Sequence, residues 1–319
     1  MARSLALVVG WLVAALVWAQ PYPSKPVHIF VTIGPGAAAD VLTRIVAEKL
    51  APRLGQPIVI ENRAGAGGNI AAEAVAKAPP DGYTLLMASS STHGANLSVY
   101  PSLPFDPIKD FTPIVLVATN PNVLVVPPSL GVSNVAELLA LARQKPGELT
   151  YASGGTGTSM HISGEVLGML GGIKLQHIPF KSTPDAINAA LAGQVSMTFA
   201  SAPTAMSAVK AGRLKALGLT SAQPLPSLPE VLPLAQQGLA GFDVSAWFGL
   251  AAPAGTPEPI INRLNVETLG VLSLPDVREK FIALGMEPLG STPAGFGDFI
   301  RSEIQRLGEV VRASGARVN

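Results

Sequence analysis

Short apolar strands alternate with helical segments in two successive blocks of this chain, and no other feature constrains its fold as strongly. The first block starts with a strand at 27–33 and continues through strands at 57–61 and 83–88, with helical spacing of apolar residues between them. The second block starts at a helix capped by Ser133 and runs to about residue 220. Such alternation is typical of a parallel sheet covered by helices on both faces. We therefore predict an α/β fold of two doubly wound lobes.

The chain after the second block follows a different pattern. Residues 245–253 (SAWFGLAAP) look like a strand that crosses back, and three helices are predicted after it. This tail brings too few strands for a domain of its own, so we expect it to pack on the first lobe. The first lobe is then assigned to residues 20–122 and 243–319, and the second to residues 123–242. The crossing segments lie near Asn122 and Phe242.

The first 19 residues are predicted to be a cleaved signal peptide. Arg3 supplies a short positive segment, residues 5–17 are apolar, and Val17-Trp18-Ala19 forms a small-residue cleavage site. A transmembrane anchor is the alternative, but about 15 apolar residues are fewer than the roughly 20 that cross a bilayer. The chain has no cysteine, and so neither a lipid-attachment cysteine nor a disulfide framework. The mature chain is expected to begin at Gln20 in the bacterial periplasm.

Charge and motif content argue against several classes of function. Charged residues make up 13% of the sequence and the net charge is +1, which leaves no field to attract nucleic acid or an anionic membrane. The sequence lacks the G-x-S-x-G, H-E-x-x-H and P-loop motifs, so no catalytic machinery is predicted. His161 and Glu165 lie four residues apart on a predicted helix. With no cysteine and only three other histidines, neither a metal site nor a cofactor is expected there.

A glycine-rich turn follows the first strand, in the sequence VHIFVTIGPGAAAD. Residues 34–39 carry only small side chains and one proline, and helical spacing begins at Asp40. A helix that starts on such a turn presents unpaired N–H groups and a mildly positive dipole, which suits a carboxylate or phosphate. Asp40 is expected to cap this helix and pair with Arg44. The turn also matches the G-x-G-x-x-A dinucleotide pattern, with Glu61 about 20 residues on, but export removes the protein from nicotinamide pools.

A second turn of the same kind opens the helix near Ser159. The sequence SGGTGT at 153–158 combines glycines with hydroxyl groups, and His161 follows it as a candidate polar contact. Either turn alone could be an ordinary strand–helix connection. Facing each other across a cleft between two lobes, the two helix starts would form an anion clamp. Residues 89–92 end a first-lobe strand at the same edge, either as pocket hydroxyls or as a plain loop.

Longer motifs show a resemblance to a known family. The chain resembles the Bug-type receptors, the periplasmic solute-binding family of tripartite tricarboxylate transporters. The similarity covers essentially the whole mature chain. It is carried by GPGAAAD, LGQPIVIENRAGAGGNIAAEAVAKAPPDGYTLL, LPFDPIKDFTPI, SGGTGTSMH, IPFKS, LAGQVSMTF, AGRLKALGLT and WFGLAAPAGTP.

The resemblance implies a Venus flytrap of the type II periplasmic-binding-protein kind. It also implies a small carboxylate ligand held by backbone amides, hydroxyls and bridging waters, with second-lobe contacts that include the regions of Ser182 and Ser201. Asp185 replaces a common proline beside the pocket. The predicted ligand-binding residues are Ile33, Gly34, Pro35, Gly36, Ala37, Ala38, Ser89, Ser90, Gly155, Thr156, Gly157, Thr158, His161, Ser182, Asp185 and Ser201.

The identity of the ligand and one functional choice stay open at this level. A dicarboxylate, a tricarboxylate, an amino acid and an aromatic acid are all compatible with the resemblance. The leading hypothesis is a monomeric receptor that closes on its ligand and makes transient contact with membrane permease subunits. An exported hydrolase-like enzyme would need a titratable pair in the cleft, for which Asp185 and His161 are the only nominees. A ligand sensor for a signalling partner is the third alternative.

Overall fold

The structure is a computed structural model that describes residues 22–316. The predicted signal peptide and its cleavage site after Ala19 lie outside these residues. The strands of the described part are β1 (Val27–Val31), β2 (Ile58–Asn62), β3 (Thr84–Ser89), β4 (Phe111–Val126), β5 (Thr150–Ser153), β6 (Gln176–Pro179), β7 (Met197–Ser201), β8 (Lys215–Leu219), β9 (Ser245–Pro253) and β10 (Glu287–Pro288).

Helices alternate with most of these strands. They are α1 (Ala38–Leu54), α2 (Asn69–Ala76), α3 (Asn96–Val99), α4 (Val135–Gln144), α5 (Ser159–Gly171), α6 (Thr183–Leu191), α7 (Ala202–Lys210), α8 (Glu258–Leu272), α9 (Pro275–Ala283) and α10 (Pro293–Ser314). A short 3₁₀ turn precedes α2, and a π-helical turn precedes α3. Several helices start at residues with a polar cap: the side chains of Asn134, Thr158 and Ser182 each accept a backbone N–H three residues on.

Two sheets share the long strand β4. In the first sheet the order is β2-β1-β3-β9-β4, and in the second β7, β5 and β6 follow β4. Up to Pro121, β4 pairs with β9, and from Asn122 onward it pairs with β7. One continuous strand, β4, therefore passes from one sheet to the other. Both sheets are mixed. In the first, β1, β2 and β3 are parallel whereas β9 runs antiparallel to β3 and β4. In the second, β5, β6 and β7 are parallel whereas β4 runs antiparallel to β7.

Each sheet is covered by helices on both faces, as in a doubly wound fold. In the first sheet, α1 buries Leu42 and Leu50 on one face. Burial of each leucine stabilises the folded state by about 2 kcal/mol. Helix α2 packs Ala72 and Val75 on the other face. In the second sheet, α4 and α5 cover one face and α6 and α7 cover the other. The prediction of two α/β lobes is confirmed.

The C-terminal helices pack differently from one another. Helices α8 and α9 join the core of the first sheet through residues such as Leu264 and Phe281. Helix α10 begins against Trp247 on the first sheet but buries Leu307 and Val311 in a cluster with residues of the second. The tail therefore packs on the first lobe only in part, and the exact lobe boundaries stay a prediction. Between residues 22 and 316, no helix is long and apolar enough to span a bilayer.

Candidate functional site

A cavity of about 420 Å³ lies between the two sheets, where the carboxyl ends of their parallel strands face each other. This is the position at which open α/β sheets bind ligands. Residues from both sheets and from the β4 crossing line it. They are Thr32, Ile33, Ala37, Ala38, Ala39, Ala64, Gly65, Ala66, Gly67, Gly68, Ser89, Ser90, Ser91, Tyr100, Asn120, Asn122, Gly154, Gly155, Thr156, Thr158, Ser159, Met160, Pro179, Phe180, Lys181, Thr183, Ser201, Ala246 and Phe248.

The start of helix α1 forms one side of the cavity. The backbone N–H groups of Ala38 and Ala39, its first two residues, have no protein hydrogen-bond partner in the described part of the chain. Ala37, at the N-cap, offers no side chain to satisfy them. Two N–H donors therefore face the cavity at the positive end of the helix dipole.

Asp40 is buried just behind these donors and is committed to other partners. It accepts hydrogen bonds from the Gly36 amide at 2.9 Å, from Arg44 Nε at 3.0 Å and from Asn62 at 3.0 Å. Burial alone raises the pKa of Asp40, but these bonds lower it overall. The predicted pairing with Arg44 is confirmed. Asp40 does not occupy the N-cap: it lies in the first turn and holds the glycine loop instead.

The start of helix α5 forms the opposite side. The N–H groups of Ser159 and Met160 have no protein partner in the described chain, whereas the His161 N–H is capped by Thr158 Oγ1. Thr158 Oγ1 also donates to the Gly155 carbonyl oxygen at 2.6 Å, which fixes the loop that precedes the helix. The cavity thus has a helix start with unpaired donors on each side, the arrangement that an anion clamp requires.

Aromatic and titratable side chains are stacked behind the second loop. Nδ1 of His161 accepts the Gly157 N–H at 3.2 Å, and its ring lies 4.2 Å from that of His177. Burial lowers the pKa of His161 to about 4 and, helped by the charge of His161, that of His177 to about 3. Burial and Glu165 raise the pKa of Tyr151, whose hydroxyl donates to that carboxylate at 2.6 Å. These groups support the loop from behind and do not line the cavity.

Hydroxyl groups and two asparagines complete the polar lining. Within residues 22–316, Oγ of Ser90 and Oγ of Ser91 have no protein hydrogen-bond partner. Asn120 and Asn122 lie on β4 at the crossing between the sheets, and both line the cavity. Among the described lining residues Lys181 alone carries a charge, and its side chain is exposed. The local field therefore comes mainly from fixed dipoles.

Small residues allow the two halves to touch around the cavity. A Cβ atom built on Gly67 would lie 2.5 Å from the Thr156 carbonyl oxygen, and one built on Gly34 would lie 3.2 Å from Cβ of Ser182. The Tyr100 hydroxyl donates to the Thr156 carbonyl oxygen at 3.2 Å. The structure is therefore a closed arrangement in which backbone meets backbone at the edge of the cavity.

The predicted site residues divide into two groups. Nine of them line the cavity: Ile33, Ala37, Ala38, Ser89, Ser90, Gly155, Thr156, Thr158 and Ser201. The other seven lie outside its lining: Gly34, Pro35, Gly36, Gly157, His161, Ser182 and Asp185. Of these, the Gly36 and Gly157 amides are bonded to Asp40 and His161, and Ser182 caps α6 with Asp185 in its first turn. Their role in binding a ligand stays a prediction.

Several lining residues were missed at the sequence level. The turn at 64–68 repeats the glycine-then-helix pattern and could have been assigned on that ground. Asn120-Pro121-Asn122 interrupts an apolar strand with polar side chains, which is a usable signal. Phe180 directly follows β6 at the carboxyl end of the strand, so the argument used for residues 89–92 could have found it. Tyr100 reaches the cavity only through tertiary packing, and no local pattern marks it.

The other chemistries considered from the sequence find little support in the geometry. Glu61, the ribose-binding residue of the dinucleotide alternative, is bonded to His28 at 2.8 Å and Arg63 at 2.9 Å. His161 Nε2 lies 3.8 Å from Glu165, and no group of three or more metal-ligating side chains occurs between residues 22 and 316. Asp185 is exposed and accepts a hydrogen bond from Ser182, whereas His161 is buried.

Comparison with known proteins agrees with this geometry. Residues 42–316 match the model of the tripartite tricarboxylate transporter family receptor. Protein BugT of Bordetella pertussis is 37% identical over 307 residues, which cover 96% of this chain and 94% of BugT. The structure of R. palustris Rpa4515 with adipate superposes with a TM-score of 0.90 at 34% identity, covering 93% of this chain and all of that one. The structure of MatC from Rhodopseudomonas palustris with bound malate superposes with a TM-score of 0.87 at 34% identity, covering 91% of this chain and all of MatC.

The two lobes and the cavity between them define a solute-binding protein of the flytrap class. Within that class, the matched family model and the identity with BugT over nearly the full length are decisive. The chain belongs to the Bug-type receptors of tripartite tricarboxylate transporters.

Proposed function

We propose that this receptor binds a small organic carboxylate in the cavity between its lobes and delivers it to a membrane permease. One observation carries the proposal: unpaired N–H groups from the starts of α1 and α5 face the same cavity from opposite sides. Adipate and malate occupy the two R. palustris relatives, which supports a ligand of this class. An enzyme is disfavoured because the family is one of receptors and because Asp185 and His161 do not line the cavity.

A thermal-shift panel of organic acids tests the proposal directly. A ligand at 100 times its dissociation constant stabilises the folded state by about 2.7 kcal/mol, which raises the midpoint by several degrees. Acids that shift the midpoint are then titrated by calorimetry. Neutral amides of the same acids serve as controls, because they keep the shape and lose the negative charge. Equal binding of acid and amide would contradict the proposal.

A pair of variants at Ala38 tests the role of the helix amides. Ala38→Pro removes one unpaired N–H at the first helical position, where proline is tolerated, and Ala37 before it is already extended. Ala38→Gly keeps the N–H and is the matched control. We expect Ala38→Pro to weaken acid binding by at least about tenfold and Ala38→Gly to have a much smaller effect.

We further propose that the protein works in the periplasm as a monomer after cleavage at Ala19. The apolar segment at 5–17 and the periplasmic setting of a relative's structure support this. Intact-mass measurement of protein from the native host is expected to show a chain beginning at Gln20 in the periplasmic fraction. Light scattering is expected to give the monomer mass. A retained N-terminal segment in the cytoplasmic fraction would contradict export.

A further inference from the structure

A buried carboxylate lies directly behind the start of helix α1. Asp40 accepts hydrogen bonds from the Gly36 amide, from Arg44 Nε and from Asn62 Nδ2, and Arg44 Nη2 lies 2.9 Å from its Oδ1. All of these groups are donors, so an uncharged asparagine at this position would turn an NH₂ group of its own toward some of them. The glycine loop before α1 is therefore held in place by a negative charge.

That charge opposes the binding of an anion at the same helix start. Asp40 is the third residue of α1, and the free N–H groups that face the cavity belong to the first two, Ala38 and Ala39. The Gly36 amide, 2.9 Å from the carboxylate, is two residues before Ala38, a span of at most about 7 Å. At such separations two like charges repel, and a carboxylate at the positive end of a helix also cancels part of its dipole. The helix start favours an anion only if the charge of Asp40 is compensated.

Arg44 supplies the compensating charge. In the part of the chain that the structure describes, it is the only cation that forms an ion pair with Asp40. Arg63, which directly follows β2, pairs with Glu61 instead, at 2.9 Å. The Arg44 side chain is 53% exposed, and it does not belong to the cavity lining. The charge behind the helix start is therefore cancelled by a residue that lies outside the cavity.

We propose that Arg44 sets the affinity of this receptor for carboxylates by neutralising Asp40. The inference rests on the proposed function, since it takes an anion at the start of α1 as given. Arg44 acts through Asp40 and not on the ligand, so it is a positioning residue. Its guanidinium group does not lose its proton in proteins, so the compensation is permanent. Asp40 fixes the shape of the glycine loop, and Arg44 removes the electrostatic cost of that shape.

Replacement of Arg44 tests the role of its charge. Calorimetry is run on the mature chain with adipate, malate, citrate, glutamate and benzoate. For every acid that binds the parent protein, we expect Arg44→Gln and Arg44→Met to bind it at least about fivefold more weakly, because the charge of Asp40 is then uncompensated. Arg44→Lys keeps the positive charge and should stay within about threefold of the parent affinity. Lys77→Gln is the matched control: it removes one cation from an ion pair with Glu73 on α2, outside the cavity lining, and should leave the affinity unchanged.

A double variant separates the effect of charge from the effect of shape. In Asp40→Asn/Arg44→Gln both charges are gone. The new asparagine oxygen can still accept the Gly36 N–H, and the new glutamine oxygen can accept from the asparagine NH₂ group. Because no negative charge then lies behind the helix start, we expect acid affinity to recover to within about threefold of the parent. A purely structural role for the ion pair predicts the opposite, since the double variant changes more of the loop than Arg44→Gln does.

The outcomes are distinct once circular dichroism has shown that each variant is folded. Parent-like affinity in Arg44→Gln and Arg44→Met would overturn the inference and leave the carboxylate receptor intact. A double variant that binds as weakly as Arg44→Gln, or an equally weak Arg44→Lys, would also overturn it, because the ion pair would then act through its geometry alone. Failure of all five acids to bind the folded parent protein would overturn the proposed function, and this inference with it.

Discussion

The backbone N–H of Gly157 donates a hydrogen bond to Nδ1 of His161 over 3.2 Å. Because Nδ1 accepts this bond, the histidine holds the second glycine loop only while that nitrogen carries no proton. Nε2 of the same ring lies 3.8 Å from Glu165, and the ring stacks on His177. A proton on Nδ1 would break the bond to the loop and place a cation beside a second histidine. The shape of one cavity wall thus depends on a neutral, buried ring.

Stability is expected to fall as the pH is lowered from about 6.5 to about 4. Burial lowers the pKa of His161 from 6.5 to about 4 and that of His93 to about 3, so the unfolded chain takes up protons first. The stabilisation from each neutral ring is complete above about pH 6.5 and is lost progressively below it. Each ring contributes about 1.4 kcal/mol per pH unit to the slope of the unfolding free energy against pH between its folded and unfolded pKa values. Urea unfolding at a series of pH values measures the slope.

The variant His161→Gln is the control for this pH dependence. A glutamine amide oxygen can accept the Gly157 N–H but does not titrate. We expect the slope of the unfolding free energy against pH, between about pH 6 and 5, to decrease by nearly 1.4 kcal/mol per pH unit, which corresponds to one proton. Folding at neutral pH should be retained. An unchanged slope would show that His161 is not protonated differently in the folded and unfolded states.

Removal of the Tyr100 hydroxyl is expected to weaken the closed form. Its bond to the Thr156 carbonyl oxygen lies at the edge of the cavity, so Tyr100→Phe should reduce the affinity for a bound acid by about three- to tenfold, mainly through faster dissociation. Tyr22→Phe removes a similar bond, to the Gly82 carbonyl oxygen at 2.7 Å, and Tyr22 does not line the cavity. Stopped-flow dissociation rates that are equal in the two variants would contradict a role for Tyr100 in closure.

Local sequence signals were sufficient for the parts of the site that are built within one strand–turn–helix unit. The turns at 34–39 and 153–158 both precede helices whose first N–H groups line the cavity, as their glycines and small residues predicted. The same signals did not reveal what each amide contacts. The Gly36 and Gly157 N–H groups are taken by Asp40 and His161, because side chains from the following helix fold back onto the loop.

Features that depend on two distant segments could not be predicted in this way. Two prolines lie within β4 without ending it: Pro113 lies at a register shift, and Pro121 lies where the partner strand changes from β9 to β7. Tyr100 reaches the cavity only because α3 packs against α10 at the other end of the chain. Such contacts are set by tertiary packing, for which a single sequence carries no periodic signal.

Substitution of Gly67 should prevent the halves from closing fully. A Cβ atom there would lie 2.5 Å from the Thr156 carbonyl oxygen, so Gly67→Ala should weaken acid binding by at least about tenfold. Gly172→Ala is the matched control: φ is +62° at Gly67 and +60° at Gly172, but Gly172 has open space around it. Both variants should lose roughly 1 kcal/mol of stability from the left-handed backbone. Calorimetry is expected to show the affinity loss only for Gly67→Ala.

Binding should depend only weakly on salt if helix amides and hydroxyls hold the carboxylate. Hydrogen bonds to fixed dipoles in a closed cavity are poorly screened, so affinity should change by less than about tenfold between low salt and roughly 0.5 M. Lys181, the exposed cation at the lining, should matter little, so Lys181→Ala should cost less affinity than Gly36→Val. Gly36 has φ of +78° and its amide is bonded to Asp40, so a β-branched residue there would distort the first loop. A steep salt dependence, with binding abolished by Lys181→Ala and retained by Gly36→Val, would mean that an ion pair holds the ligand instead.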